Sequence, residues 1–161
     1  IRHHEQYDEW LHSPHNTPGT GCDACHDPHS SVKYDDDATG FGTKLDCEDC
    51  HTEITYIKHG TNADCVDCHM PKASKSAVAV NDYQGDLRTH LWLINTDAVG
   101  KDTGMFEPGG GYVAEDLLGL GRVTLDFACY GCHQDGNGVG GSASVKTLAE
   151  LSAYATGMHT P

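Results

Sequence analysis

The sequence predicts a chain that is mostly coil with short helices and few strands, carrying little regular secondary structure. Three observations predict it. Leu, Ile, Val and Phe supply only 27 of 161 residues, too few to fill an ordinary core. Glycine occurs 19 times and proline 6 times, so the chain is interrupted often. All eight cysteines fall in four copies of one pentapeptide, Cys-x-x-Cys-His. With a formal charge of −14, such a composition would ordinarily belong to a disordered chain. A fold therefore requires apolar material that the side chains do not provide.

Residues 3 to 12 have Tyr7, Trp10 and Leu11 on one side of a short helix, which Pro14 and Pro18-Gly19 end. Residues 20 to 72 hold three of the pentapeptides, each expected as a single helical turn with irregular chain between. From Lys75 to Thr96, Val78 and Val80 alternate with smaller residues and Leu91 to Ile94 form a second apolar cluster. This predicts extended chain, with a hairpin turning near Asp82 to Asp86. Residues 97 to 111 form a Gly-rich loop. Arg122 to Ala128 alternates Val123, Leu125 and Phe127 with Thr124 and Asp126, a strand-like stretch entering the fourth pentapeptide. A second Gly-rich loop covers 136 to 141, and 144 to 156 has helical spacing, with Ser144 as N-cap and Gly157 as stop.

The pentapeptides are Cys22-Asp-Ala-Cys25-His26, Cys47-Glu-Asp-Cys50-His51, Cys65-Val-Asp-Cys68-His69 and Cys129-Tyr-Gly-Cys132-His133. This is the attachment signature of c-type haem: Cys22, Cys25, Cys47, Cys50, Cys65, Cys68, Cys129 and Cys132 tether four porphyrins as thioethers. His26, His51, His69 and His133 each take one axial position on an iron. Zinc sites and a disulfide framework use paired cysteines too, but neither needs histidine directly after the second cysteine, and here it follows every time. The haems supply the missing apolar interior, and the chain without them is expected to be unfolded. One tetrahaem domain, 1–161, is expected, with about one haem per 40 residues.

Eight histidines lie outside the pentapeptides: His3, His4, His12, His15, His29, His59, His90 and His159. Imidazole is a preferred second axial ligand, and the supply exceeds four. His29 lies too close to His26 to reach the far face of the same ring, so it serves a neighbour. His59 can reach an adjacent haem, and His90 is the only histidine between His69 and His133. His15 completes the expected set, with His4 and His12 as rivals. His3 and His159, near the ends, are expected to stay off iron. Met105 and Met158 are the alternative ligands. All-histidine ligation implies low-spin, low-potential iron.

Cofactors of this type are attached outside the cytoplasm. The chain starts at Ile1 with no apolar leader, so it is read as a mature, exported form. No run approaches the ~18 apolar residues of a membrane span. The acidic surface makes nucleic acid a poor partner. Asp35-Asp36-Asp37 is read as a solvated loop, with a calcium site as the sharper alternative. Asp135-Gly136-Asn137-Gly138 lacks the later ligands of an EF-hand.

Trp10-Leu-His-Ser-Pro-His15, Cys25-His-Asp-Pro-His29, His59-Gly60 and Cys68-His-Met-Pro71 resemble the multihaem cytochrome c superfamily, where histidines in such contexts act as distal ligands. The haem count, the size and Arg88-Thr-His90-Leu-Trp92 are similar to tetrahaem subunits of extracellular cytochrome filaments, the conductive nanowires. The resemblance runs from about His4 to His133. It implies electron transfer, self-association into a filament, redox proteins or extracellular acceptors as partners, and an extracellular or cell-surface location. In such filaments one subunit's histidine ligates a neighbour's haem, and His3, His4, His12 and His15 would be natural donors. The alternatives are a soluble periplasmic tetrahaem shuttle and a multihaem oxidoreductase acting on small nitrogen compounds. The latter needs an iron with an open axial position. Since all four pentapeptides end in histidine and distal ligands are in excess, no enzyme activity is expected.

Overall fold

The computed structural model describes residues 6–30, 42–74, 78–109 and 112–160. The acidic run at 35–37, His3 and His4 lie outside them. Among the described residues six short helices are present: α1 Gln6–Leu11, α2 Cys22–Cys25, α3 Cys65–His69, α4 Lys101–Gly104, α5 Leu125–Cys129 and α6 Leu148–Ala155. Two 3-10 turns, Cys47–Asp49 and Gly60–Asn62, join them. Among the described residues the β-structure consists of isolated bridges. The expected coil with short helices is what is found.

The chain divides into two compact units. One is Ile1–Pro14 with Tyr56–Pro161; the other is His15–Thr55. The smaller unit holds the first two pentapeptides and a pair of backbone hydrogen bonds, Asp27 N to Gly42 O at 2.8 Å and Lys44 N to Cys25 O at 2.7 Å. These give the chain after the first pentapeptide a fixed course.

The larger unit has two packed clusters. Ala73, Leu91, Met105, Val123, Phe127 and Ala128 form one; Leu125, Tyr130 and Leu151 form the other. Cys129 packs against both. The interior is thus wrapped around α5, which runs straight into the fourth pentapeptide. Met105, one of the alternative axial ligands, is fully buried in the first cluster and accepts the Thr124 hydroxyl on its sulfur.

Several local elements differ from expectation. The strand-like stretch 122–128 bridges Ile94 only at Val123 and then becomes α5. Leu125, Asp126, Phe127 and Ala128 are all buried, so every face is covered and the alternation did not mark a sheet. The last helix starts at Leu148, capped by Thr147, not Ser144. Thr147 and Glu150 form a reciprocal box: Thr147 N–H donates to Glu150 Oε2 at 2.8 Å, and Glu150 N–H to Thr147 Oγ1 at 3.3 Å. Gly157, at φ 71°, then ends it. Between 97 and 111 the loop contains the single turn α4, whose first N–H, from Lys101, donates to buried Asp126 at 2.6 Å. The hairpin is reduced to bridges Ser74–Leu87 and Asn81–Gln84, with Val78 and Val80 exposed.

Candidate haem-binding sites

Cysteines at i and i+3 and histidine at i+4 share one face of a helical turn. The structure makes that turn at each pentapeptide. His26, His51 and His133 each donate a backbone N–H to the first cysteine's carbonyl at 2.9 Å. In the third pentapeptide the whole segment Cys65–His69 is α3. The second and third turns begin alike: Asp46 N–H donates to Asp49 Oδ2 at 2.9 Å, and Asp64 N–H to Asp67 Oδ2 at 3.1 Å. An Asp before the first cysteine and another inside the spacer therefore clamp the turn.

The fourth turn is held from outside. Gly141 N–H donates to Tyr130 O at 3.0 Å and His133 O at 2.9 Å, and Ala143 N–H to Cys132 O at 2.9 Å. These satisfy carbonyls that a short helix leaves open. A side chain has no room here: a Cβ on Gly140 or Gly141 would lie 2.3 Å from the carbonyl oxygen of His133 or Cys132.

None of the eight cysteines is disulfide-bonded. Within the smaller unit Cys25 feels Cys50; burial first, then that neighbour and Cys22, raise its thiol above the ordinary range. Within the larger unit burial raises Cys68, reinforced by Asp67 and Cys132. Burial pushes the Cys129 thiol up to about 12, with Cys68 adding to it. The first and second pentapeptides are thus neighbours, as are the third and fourth.

Three non-pentapeptide imidazoles face three pentapeptide imidazoles. The ring centroids of His15 and His51 are 6.0 Å apart, at 81° between planes. His59 and His133 are 6.1 Å apart at 24°, and His69 and His159 are 5.9 Å apart at 18°. Metal–nitrogen bonds of about 2 Å on each side, with each ring centre about 1 Å further back, put two imidazoles on one metal ion about 6 Å apart. The pairs fit that requirement. Burial, then the facing His51, lowers the His15 pKa; burial, then His133, lowers that of His59. Both shifts favour neutral imidazole, the form that ligates.

Outer contacts orient several rings. His69 Nδ1 meets Trp92 O at 2.7 Å, His133 Nδ1 meets Ser144 O at 3.0 Å and His159 Nδ1 meets Tyr56 O at 3.2 Å. Each occupies Nδ1 and leaves Nε2 as the nitrogen available to a metal, as in metal-binding histidines held by an outer acceptor. Tyr154 packs on His59 at 5.1 Å between centroids. The segments that carry His59 and His159 are tied together. Lys58 N–H donates to Met158 O at 2.9 Å, Lys58 Nζ to Tyr154 O at 3.1 Å, and Tyr154 OH to Lys58 O at 3.2 Å.

Of the four expected distal histidines, the structure sets His15 and His59 against pentapeptide rings. His29 is exposed, its N–H donating to Asp27 Oδ1 at 2.9 Å, and His90 is half-buried, edge-on to Trp92 at 5.2 Å. Among the described residues neither shows a ring contact with a pentapeptide histidine. His159, expected to stay off iron, stands against His69. His12 holds Glu115 Oε1 at 3.1 Å through Nδ1. The Asp135 carboxylate is spent within its own loop and on Tyr83: Oδ1 accepts from Asn137 and Val139 N–H at 2.8 and 2.9 Å, and Oδ2 from Tyr83 OH at 2.8 Å.

Residues 6–70, which include the first three pentapeptides, match the family model described as cytochrome c7 and related cytochrome c. Over that stretch the chain is similar to multihaem c-type cytochromes. No curated protein sequence matches this one. In fold the chain is similar to the octahaem sulfite reductase MccA of Wolinella succinogenes, form II, with a TM-score of 0.53 and 22% identity. The alignment covers 97% of this chain and 27% of that one, so the chain spans about a quarter of that protein's length. No helix among the described residues is long and apolar enough to cross a membrane.

Proposed function

We propose that the chain moves electrons through four covalently held c-type haems, each between two imidazoles, as a subunit of an extracellular conductive filament. The observation that carries the ligation is the set of three histidine pairs at 5.9 to 6.1 Å. His15, His59 and His159 are the distal ligands opposite His51, His133 and His69. Opposite His26 the candidate donor is His3 or His4 of a neighbouring subunit; His29 and His90 are donors for other haems. Bound haem supplies a reversible one-electron couple. The chain's part is to tether the rings by eight cysteines, hold His69, His133 and His159 through their Nδ1 contacts and set neighbouring sites side by side. Filling both axial positions leaves no open position for a substrate, which favours a carrier over an enzyme.

The filament follows from the resemblance of the histidine contexts to nanowire subunits. Exposed Leu117 and Leu118, on a tip where Asp116 accepts the N–H of Leu118 and Leu120, offer apolar surface for a contact between subunits. Native mass spectrometry is expected to show four added haems, and electron microscopy to show filaments. Bare peptide mass overturns the whole reading. Monodisperse small particles under every condition overturn the filament and leave the periplasmic shuttle. The oxidoreductase reading draws on the fold likeness to MccA; a high-spin ferric signal in native protein would favour it.

A further inference from the structure

Trp92 is the only residue other than glycine with a positive φ, 59°, among the described residues. A bulky side chain is strongly disfavoured in that region. Leu93 N–H donates to Leu91 O at 2.7 Å, so Trp92 is the central residue of a γ-turn in its rare, strained form. Both flanks are pinned. Leu91 is buried in the first cluster and His90 N–H donates to buried Glu9 Oε2 at 2.7 Å. On the other side Val123 N–H donates to Leu93 O, and Asn95 N–H to Val123 O, each at 2.8 Å. Strain persists only where its surroundings over-determine it, and it gathers at functional sites.

What the turn does is aim a carbonyl. Trp92 O lies 2.7 Å from His69 Nδ1. A carbonyl only accepts, so Nδ1 carries the proton and Nε2 is left for the metal. His133 obtains the same kind of acceptor, Ser144 O at 3.0 Å, from a residue with negative φ. We propose that the strained turn at Trp92 is a positioning device for His69, fixing its ring and making the imidazole a more electron-rich ligand. A richer ligand favours ferric iron and draws the reduction potential of that haem down. The proposal rests on the reading of His69 as an axial ligand.

The test separates backbone from indole. Gly and Asn accept positive φ readily, Ala less so, and Val is excluded by its branched Cβ. The holoprotein variants Trp92→Gly, Trp92→Asn, Trp92→Ala and Trp92→Val are compared by redox titration followed by EPR. The third-motif signal is the one that His159→Ala alters. Gly and Asn are expected to keep the wild-type potential of that haem. Val raises it while the iron stays low-spin, and Ala falls between. In the diamagnetic ferrous state, exchange of the His69 ring N–H is expected to be faster in the Val variant than in the Gly variant, by on the order of tenfold. If Val yields no holoprotein, Ala against Gly makes the same comparison. Equal shifts in all variants would assign the effect to the indole and overturn the proposal, as would no shift in Val and Ala. A wild-type third haem that is high-spin or absent would instead overturn the ligand assignment itself.

Discussion

Removing the imidazole of His159 tests the pairing that the sequence did not suggest. His159 is exposed and stacks on His69 at 5.9 Å and 18°. Its only other described bond is Nδ1 to Tyr56 O at 3.2 Å. An exposed bond of that kind contributes about 0.5–1.5 kcal/mol, a small share of the about 5–15 kcal/mol that holds a domain folded. His159→Ala is therefore expected to fold and retain all four haems. The neighbouring ties between Lys58 and both Met158 O and Tyr154 do not involve the imidazole, so His59 stays opposite His133. One pentapeptide of four loses its distal ligand, so about a quarter of the haem iron turns high-spin. Integrated ferric EPR, with haem content from mass spectrometry, measures it, and added imidazole restores the low-spin signal. An unchanged spectrum with four haems present refutes the pairing; half the iron turning high-spin refutes the independence of the two sites.

The ligand-plane angles carry a spectroscopic expectation. Near-perpendicular imidazoles leave two iron d-orbitals nearly degenerate, whereas parallel ones split them. The His15–His51 haem, at 81°, is expected to give a highly anisotropic low-spin EPR signal, and the pairs at 24° and 18° ordinary rhombic ones; three rhombic signals would contradict it. Gly141→Ala drives a Cβ into Cys132 O and is expected to cost about 2–3 kcal/mol in chemical denaturation and to disturb the fourth haem first; wild-type stability would count against the close approach. Glu9→Ala leaves the Ser74 hydroxyl and the His90 N–H without their carboxylate acceptor, a loss of about 2–6 kcal/mol by the same measurement, with Glu9→Gln milder. The N–H groups of Leu118, Val139 and Thr147 are the chief cause that holds Asp116, Asp135 and Glu150 below the usual carboxylate range. A depressed folded value means that the stabilisation is present above the unfolded value and is lost as pH falls through the folded one. Unfolding on acidification is expected to begin below about pH 4, followed by far-UV circular dichroism.

The turn at each pentapeptide was plain in the sequence, because spacing alone puts Cys, Cys and His on one face. His15 and His59 were legible as spare imidazoles in Ser-x-His and His-Gly settings. His159 was not. Its place opposite His69 depends on a non-local tie between residues 56–58 and 154–159, and no spacing near the end of the chain announces it. The helix start at Thr147 was written locally, in Thr-Leu-Ala-Glu, but was passed over for Ser144, whose carbonyl instead serves His133. At 122–128 burial on every side erased the periodicity that separates strand from helix. The Trp92 turn was illegible for a different reason: nothing in a tryptophan signals positive φ, which the fixed chain on either side imposes.

Cys129 is wedged between both clusters of the larger unit. A sulfur in that position can be reached by an enzyme only while the polypeptide is still open. On the proposed haem assignment, thioether formation at the fourth pentapeptide is expected to precede closure of the larger unit around α5: ligation first, collapse afterwards.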